Sequence, residues 1–182
     1  KRRVQVAIKT DSKEIKQGLL YAYLPTQQPS QLPLHINADF YPESSRKSII
    51  LSGHQYDQQW NKLLLKEAAK IIADELENLT QHINHRQLFQ IIEAAYKTDS
   101  IDEDSIFDEF WNCILRRIVE GAKVIYSSKR QYQSADEIVY DRGLGADKHV
   151  KKSSVAAFYQ AGGILVNEDL LKLSNDSIET LD

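Results

Sequence analysis

A chain of 182 residues, 42% hydrophobic and 27% charged, carries enough apolar material for one good core, or a core with a small appended module. A formal charge of −3 argues against a dedicated nucleic-acid binder, which carries a basic excess, so KRR (1–3) and KHVKK (148–152) read as solvated surface. One cysteine, Cys113, leaves no internal disulfide framework or cysteine-based zinc cluster, and no run reaches the roughly 20 apolar residues of a membrane helix.

Period-2 alternation of Val4, Val6 and Ile8 in RVQVAIKT predicts a half-buried strand. DSKEIKQG supplies turn chemistry around Asp11, Ser12 and Gly18. LLYAYLPT follows as a second strand closed by Pro25, TQQPSQ as a loop, and LPLHINADF as a third strand. Strands are expected to dominate residues 1–51.

The period then changes. Trp60, Leu64, Ala68, Ile71, Ile72, Leu76 and Leu79 recur at helical spacing and predict a long helix over 57–83, with Asp57 as its N-cap. A second helix is predicted over 85–97. After the acidic TDSIDEDS comes a third, with Phe107, Phe110, Trp111, Ile114, Leu115 and Ile118 as its apolar face and Gly121 as its stop. Cys113 lies within that apolar run, which suits a small buried hydrophobe and, weakly, a reducing cytoplasm. Strand character returns in KVIYS (123–127) and DEIVY (136–140), DRGLGADKHVKKS reads as a linker, and the tail offers helix SVAAFYQ, strand GGILV and a helix opened by Asn167 or Glu168. The expected class is α/β or α+β, divided into 1–121 (strands 1–51, helices 57–121) and a small α/β module over 122–182.

Several motifs tempt a chemical reading. DRGLG (141–145) and NAD (37–39) echo nucleotide pockets, yet no P-loop or GxGxxG accompanies them, so no complete nucleotide site is expected. His82 and His85 share a helical spacing but lack a visible third ligand, so no metal is assigned. The carboxylates at 102–104 and 108–109 fit a solvated loop and a helix N-terminus, and Ser44 and Ser45 lack a His/Asp partner pattern. There remains the basic pair Arg46–Lys47, placed at a corner after a strand by YPESSRKS. It either solvates a loop or reaches an anionic ligand held elsewhere, for which the planar guanidinium fork suits phosphate oxygens.

The ordered elements GLLYAYLPT, LPLHINADFYPESSRKSI, QQWNKLLLKEAAKIIADEL, VIYSSKRQYQSADEIVY and GGILVNEDLLKL resemble the segment after the ATP-binding domain of sacsin-like proteins. These are relatives of the 90-kDa heat-shock chaperones (heat-shock protein 90 family) in the GHKL ATPase superfamily. The resemblance spans residues 4–175 and rests on the order of elements rather than on one specific motif. It implies a middle domain that lends a cation to the γ-phosphate of ATP bound elsewhere, pointing to Arg46 or, because the spacing differs, Lys47. ATP and Mg²⁺ would then belong to an N-terminal domain of the same chain, with no cofactor in this segment. The segment alone would be inactive, the parent would be a chaperone ATPase in the cytoplasm, and the further partner would be a protein client. The start at Lys1 and the complete lack of methionine read as a piece of a larger protein, or as a sequence from which altered methionines are missing. Two other expectations stand beside this one: a non-enzymatic interaction module using the helices at 57–97, and, against the net charge, a DNA-facing module of a GHKL-type machine using KRR and KHVKK.

Overall fold

The computed structural model describes residues 3–10, 17–53, 55–101, 107–139 and 164–165, and it is α+β. Two compact units divide between Arg116 and Arg117. Within the first unit, β1 (Val4–Ala7), β2 (Leu19–Ala22), β3 (Leu24–Pro29) and β4 (His35–Ala38) form one sheet in the order β1-β4-β2-β3. β4 runs antiparallel to β1 and parallel to β2, and β3 returns antiparallel to β2.

The expected strand LLYAYLPT is two strands. Tyr23 takes a left-handed backbone (φ 63°) and reverses the chain so tightly that Ala22 pairs with Leu24. What composition marks as a loop, TQQPSQ, is mostly β3. Its prolines are tolerated because β3 lies at an end of the sheet, where a missing N–H breaks no central ladder. Buried Thr26 holds the hairpin by donating its hydroxyl to the Leu20 carbonyl (2.8 Å) and accepting from the Gln28 amide (3.1 Å).

Gly18, expected as turn chemistry, is instead a packing requirement. A Cβ there would lie 1.6 Å from the Leu34 carbonyl oxygen, so only a residue without one lets the two backbones cross. The Gly18 amide donates to Leu32 O at 2.8 Å across this crossing. Buried Ser30 satisfies the irregular stretch before β4, its hydroxyl lying 2.8 and 2.7 Å from the carbonyls of Leu32 and Leu34.

Helix α1 (Tyr56–Leu79) buries Leu64, Leu65, Ala68, Ile72 and Leu76, the i, i+4 stripe that its sequence carries, and packs against β1. Each fully buried leucine or isoleucine contributes about 1.5–3 kcal/mol of transfer free energy. Ile71, expected on that stripe, is rotated to its margin and is 37% exposed. The N-cap is Gln55, without a side-chain cap bond; Asp57 falls inside the first turn, where its charge complements the helix dipole. The helix stops at Leu79, short of residue 83, because the Thr80 hydroxyl and amide both fold back onto the Glu77 carbonyl.

Helix α2 (His85–Ile101) opens with a reciprocal cap: the Gln87 amide donates to Asn84 Oδ1 and the Asn84 amide to Gln87 Oε1. Phe107, Phe110, Trp111 and Ile114 of the third helical segment are buried as its spacing predicts. The regular helix α3 spans Asp108–Val119. It ends at Gly121 (φ 102°), with Gly121 and Ala122 donating to the carbonyls of Ile118 and Arg117, a Schellman closure.

In the second unit, β5 (Ile125–Tyr126) and β6 (Tyr132–Gln133) make a hairpin over the tip 127–131. A 3₁₀ turn (Ala135–Glu137) replaces the first residues of the strand expected at 136–140, because Glu137 bonds back to Ser134 through both its amide and its carboxylate. β7 (Ile138–Val139) then pairs in parallel with β8 (Ile164–Leu165), inside the expected GGILV strand. The linker over 141–152, the SVAAFYQ helix and the last helix lie outside the described residues.

Candidate functional site

After β4 the chain forms a short irregular stem and a four-residue tip, Ser44–Lys47. The Ile50 amide donates to Tyr41 O (3.0 Å), the Glu43 amide to Ser48 O (2.9 Å), and Pro42 and Ile49 form an isolated bridge. Inside the tip the Arg46 amide donates to Glu43 O at 2.8 Å, and Arg46 itself sits at φ 56°, in the left-handed region. Arginine has no special tolerance for that region; its Cβ costs about 1–2 kcal/mol there.

The corner is fastened on two sides. Toward β3, the Gln27 amide donates to Lys47 O (2.8 Å) and the Ile49 amide to Gln28 Oε1 (2.7 Å). Toward α1, Trp60 Nε1 donates to Asp39 O (2.9 Å), just past the end of β4. Asn61, fully buried, accepts from the Tyr41 amide through Oδ1 (2.8 Å) and donates through Nδ2 to Tyr41 O (2.8 Å) and Ile50 O (2.9 Å). The WN pair that opens the long helix in sequence is therefore the anchor of the basic corner.

Arg46 and Lys47 are both exposed, and neither side chain has an ion pair among the described residues. The structure brings the two together at one tip, as sequence adjacency dictates. Its chemical capability is simple: a fixed backbone presents one guanidinium and one ammonium to an external anion. The supporting residues Trp60, Asn61 and Gln28 were not singled out as site residues by the sequence. Their only signal was a polar residue, Asn61, one turn before the apolar stripe that begins at Leu64.

The other motifs stay apart from this corner. Asn37 lies within β4, its amide donating to Gln5 Oε1 (3.0 Å), while DRGLG lies outside the described residues. His82 is exposed and His85 half-buried, and among the described residues no group of three His, Cys, Asp or Glu side chains is placed to hold a metal. Glu109 pairs with Lys66 of α1, whose ammonium holds its carboxyl below the usual range. Burial, aided by the Asp74 carboxylate, pushes the Cys113 thiol up, which opposes a nucleophilic role. Residues 102–104, His54, His149 and the KHVKK cluster lie outside the described residues, and Arg3 is exposed. No described helix is long and apolar enough to cross a membrane.

No protein-family model, curated protein or solved structure matches the chain.

Proposed function

We propose that the chain is the segment following the ATP-binding domain of a sacsin-like chaperone ATPase related to the 90-kDa heat-shock proteins. In this reading Arg46, with Lys47 as the alternative, reaches the phosphates of ATP held with Mg²⁺ by that domain. The segment alone neither binds nor hydrolyses ATP. In the parent, a cytoplasmic protein, it passes the nucleotide state to domain and client contacts.

One observation carries the reading: an arginine with no ion pair among the described residues is held in a costly left-handed conformation at the tip of a corner fastened on both sides. Strain of this kind persists where the surroundings over-determine it, and it collects at functional sites. A cation donated to a transferring phosphoryl group must be positioned in this way, because catalysis there is positioning and charge stabilisation. The test is ATP hydrolysis by the full-length protein carrying Arg46→Ala. Loss of a donated arginine lowers the rate on the order of 10³-fold; an unchanged rate overturns the proposal.

A second reading, a non-enzymatic interaction module, draws on a different surface. Tyr23 (79% exposed) and Leu24 (62%) project from the β2–β3 tip, whereas the outer face of α1 carries Lys66, Glu67, Lys70 and Asp74. A partner contact would therefore use the strand tip rather than the helices. Tyr23→Ser with Leu24→Ser abolishing a partner complex, while Arg46→Ala leaves it intact, is the outcome that selects this reading.

A further inference from the structure

We infer that Asn61 is the positioning residue of the basic corner, fixing the direction of Arg46 by tying both stems of that corner to helix α1. The catalytic half of this inference rests on the ATPase reading above; the mechanical half rests on hydrogen bonds alone.

The geometry is specific to an asparagine. Its amide offers one acceptor oxygen and two N–H donors, and all three are engaged, by Tyr41 N, Tyr41 O and Ile50 O at 2.8–2.9 Å. The Tyr41 amide can only donate, so the oxygen of Asn61 must face it and the orientation of the side chain is fixed. Tyr41 and Ile50 are the opposite feet of the stem that carries Ser44–Lys47, and they are also bonded to each other. One side chain therefore sets the spacing of the two feet and their height above α1. The residue is fully buried, so water does not replace any of its bonds at small cost.

Trp60, the preceding residue, adds a second tether through Asp39 O, and its ring stacks with Tyr56 at 6.1 Å, which in turn meets Tyr41 edge-on at 6.2 Å. Any displacement of the opening turns of α1 relative to the sheet must pull on Asp39, Tyr41 and Ile50 together. The corner therefore reports the position of α1, and α1 the occupancy of the corner. That is a route by which phosphate contact at Arg46 and helix placement influence one another.

The experiment has two arms. In the 182-residue chain, Asn61→Asp keeps the acceptor for Tyr41 N but loses both N–H donors, and the neutral carboxyl that burial favours can donate to only one of the two carbonyls. Amide hydrogen exchange at Glu43, Arg46 and Ile50 should accelerate roughly ten-fold, the equivalent of about one lost hydrogen bond, while Leu88 and Ile91 of α2 stay as slow as before. Unchanged exchange at the three corner amides overturns the clamp. In the full-length ATPase, Asn61→Asp should lower kcat at least ten-fold with the KM for ATP unchanged. Added to Arg46→Ala it should cause no further loss, because a positioning residue acts through the group it positions. Faster exchange with an unaltered kcat, or additive losses, overturns the positioning role. An Arg46→Ala protein with full activity overturns the ATPase reading and this role with it. Should Asn61→Asp fail to fold, Trp60→Phe removes the Asp39 tether while keeping an aromatic ring beside Tyr56, and it is read by the same exchange, kcat and additivity criteria.

Discussion

Replacing Arg46 by alanine and by glycine separates what the side chain does from what the backbone endures. The guanidinium is exposed and has no ion pair among the described residues, so truncation to alanine should change stability by no more than about 0.5 kcal/mol. Alanine keeps the Cβ, and with it the left-handed penalty of about 1–2 kcal/mol at φ 56°. Glycine removes that penalty but loses about 0.5–1 kcal/mol through the greater freedom of its unfolded chain. The glycine variant should therefore be more stable than the alanine variant by about 0.5–1 kcal/mol. Urea unfolding followed by tryptophan fluorescence reads this, since both tryptophans, Trp60 and Trp111, lie in the first unit. On the proposed ATPase reading, both variants of the full-length protein should lose ATP hydrolysis equally despite their opposite rank in stability. A glycine variant no more stable than the alanine one would refute the reasoning, since the corner would then not hold residue 46 under strain.

Gly18→Ala forces a methyl to within 1.6 Å of the Leu34 carbonyl oxygen, and it should lower stability by about 3 kcal/mol or more, read as a fall in the urea midpoint. The Lys66–Glu109 pair has a definite sign with pH. Because the ammonium depresses the Glu109 carboxyl, its stabilisation is present above the unfolded carboxyl pKa, near 4.3, and disappears as pH falls through the lower folded value. Both side chains are more than half exposed, so a double-mutant cycle with Lys66→Gln and Glu109→Gln should return only a few tenths of a kcal/mol at pH 7, and nothing at pH 2 or in 1 M salt. Cys113 should react with a thiol reagent at pH 8 more slowly in the native protein than in urea, since burial holds the thiol in its neutral form; equal rates would contradict that environment.

The parts of this fold legible in the sequence are those with a periodic apolar signal. Val4 and Val6 alternate, and Leu64, Ala68, Ile72 and Leu76 repeat at helical spacing, because one face of each element must leave water. Illegible were the features set by backbone geometry or distant polar contacts. Nothing about a tyrosine announces the left-handed turn at Tyr23 that divides one expected strand into two. Gln27 and Gln28 look like loop residues by composition, yet they are strand because they bond to Lys47 and Ile49, some 20 residues onward. The candidate site divides in the same way. Exposure of Arg46 and Lys47 follows from their chemistry, whereas the role of Asn61 depends on partners 11 and 20 residues earlier in the chain.

The stretch from Lys47 to Ile49 has one more consequence, which concerns the company this protein keeps with itself. β3 is the outermost strand on its side, and the Gln27 amide there would face solvent were it not donated to Lys47 O. The basic corner thus doubles as a cover strip along an open border, reinforced by the prolines at 25 and 29. Peeling it away would uncover a template onto which a second copy could add its own strand, so cutting the chain at Lys47 should promote clumping before it promotes unfolding.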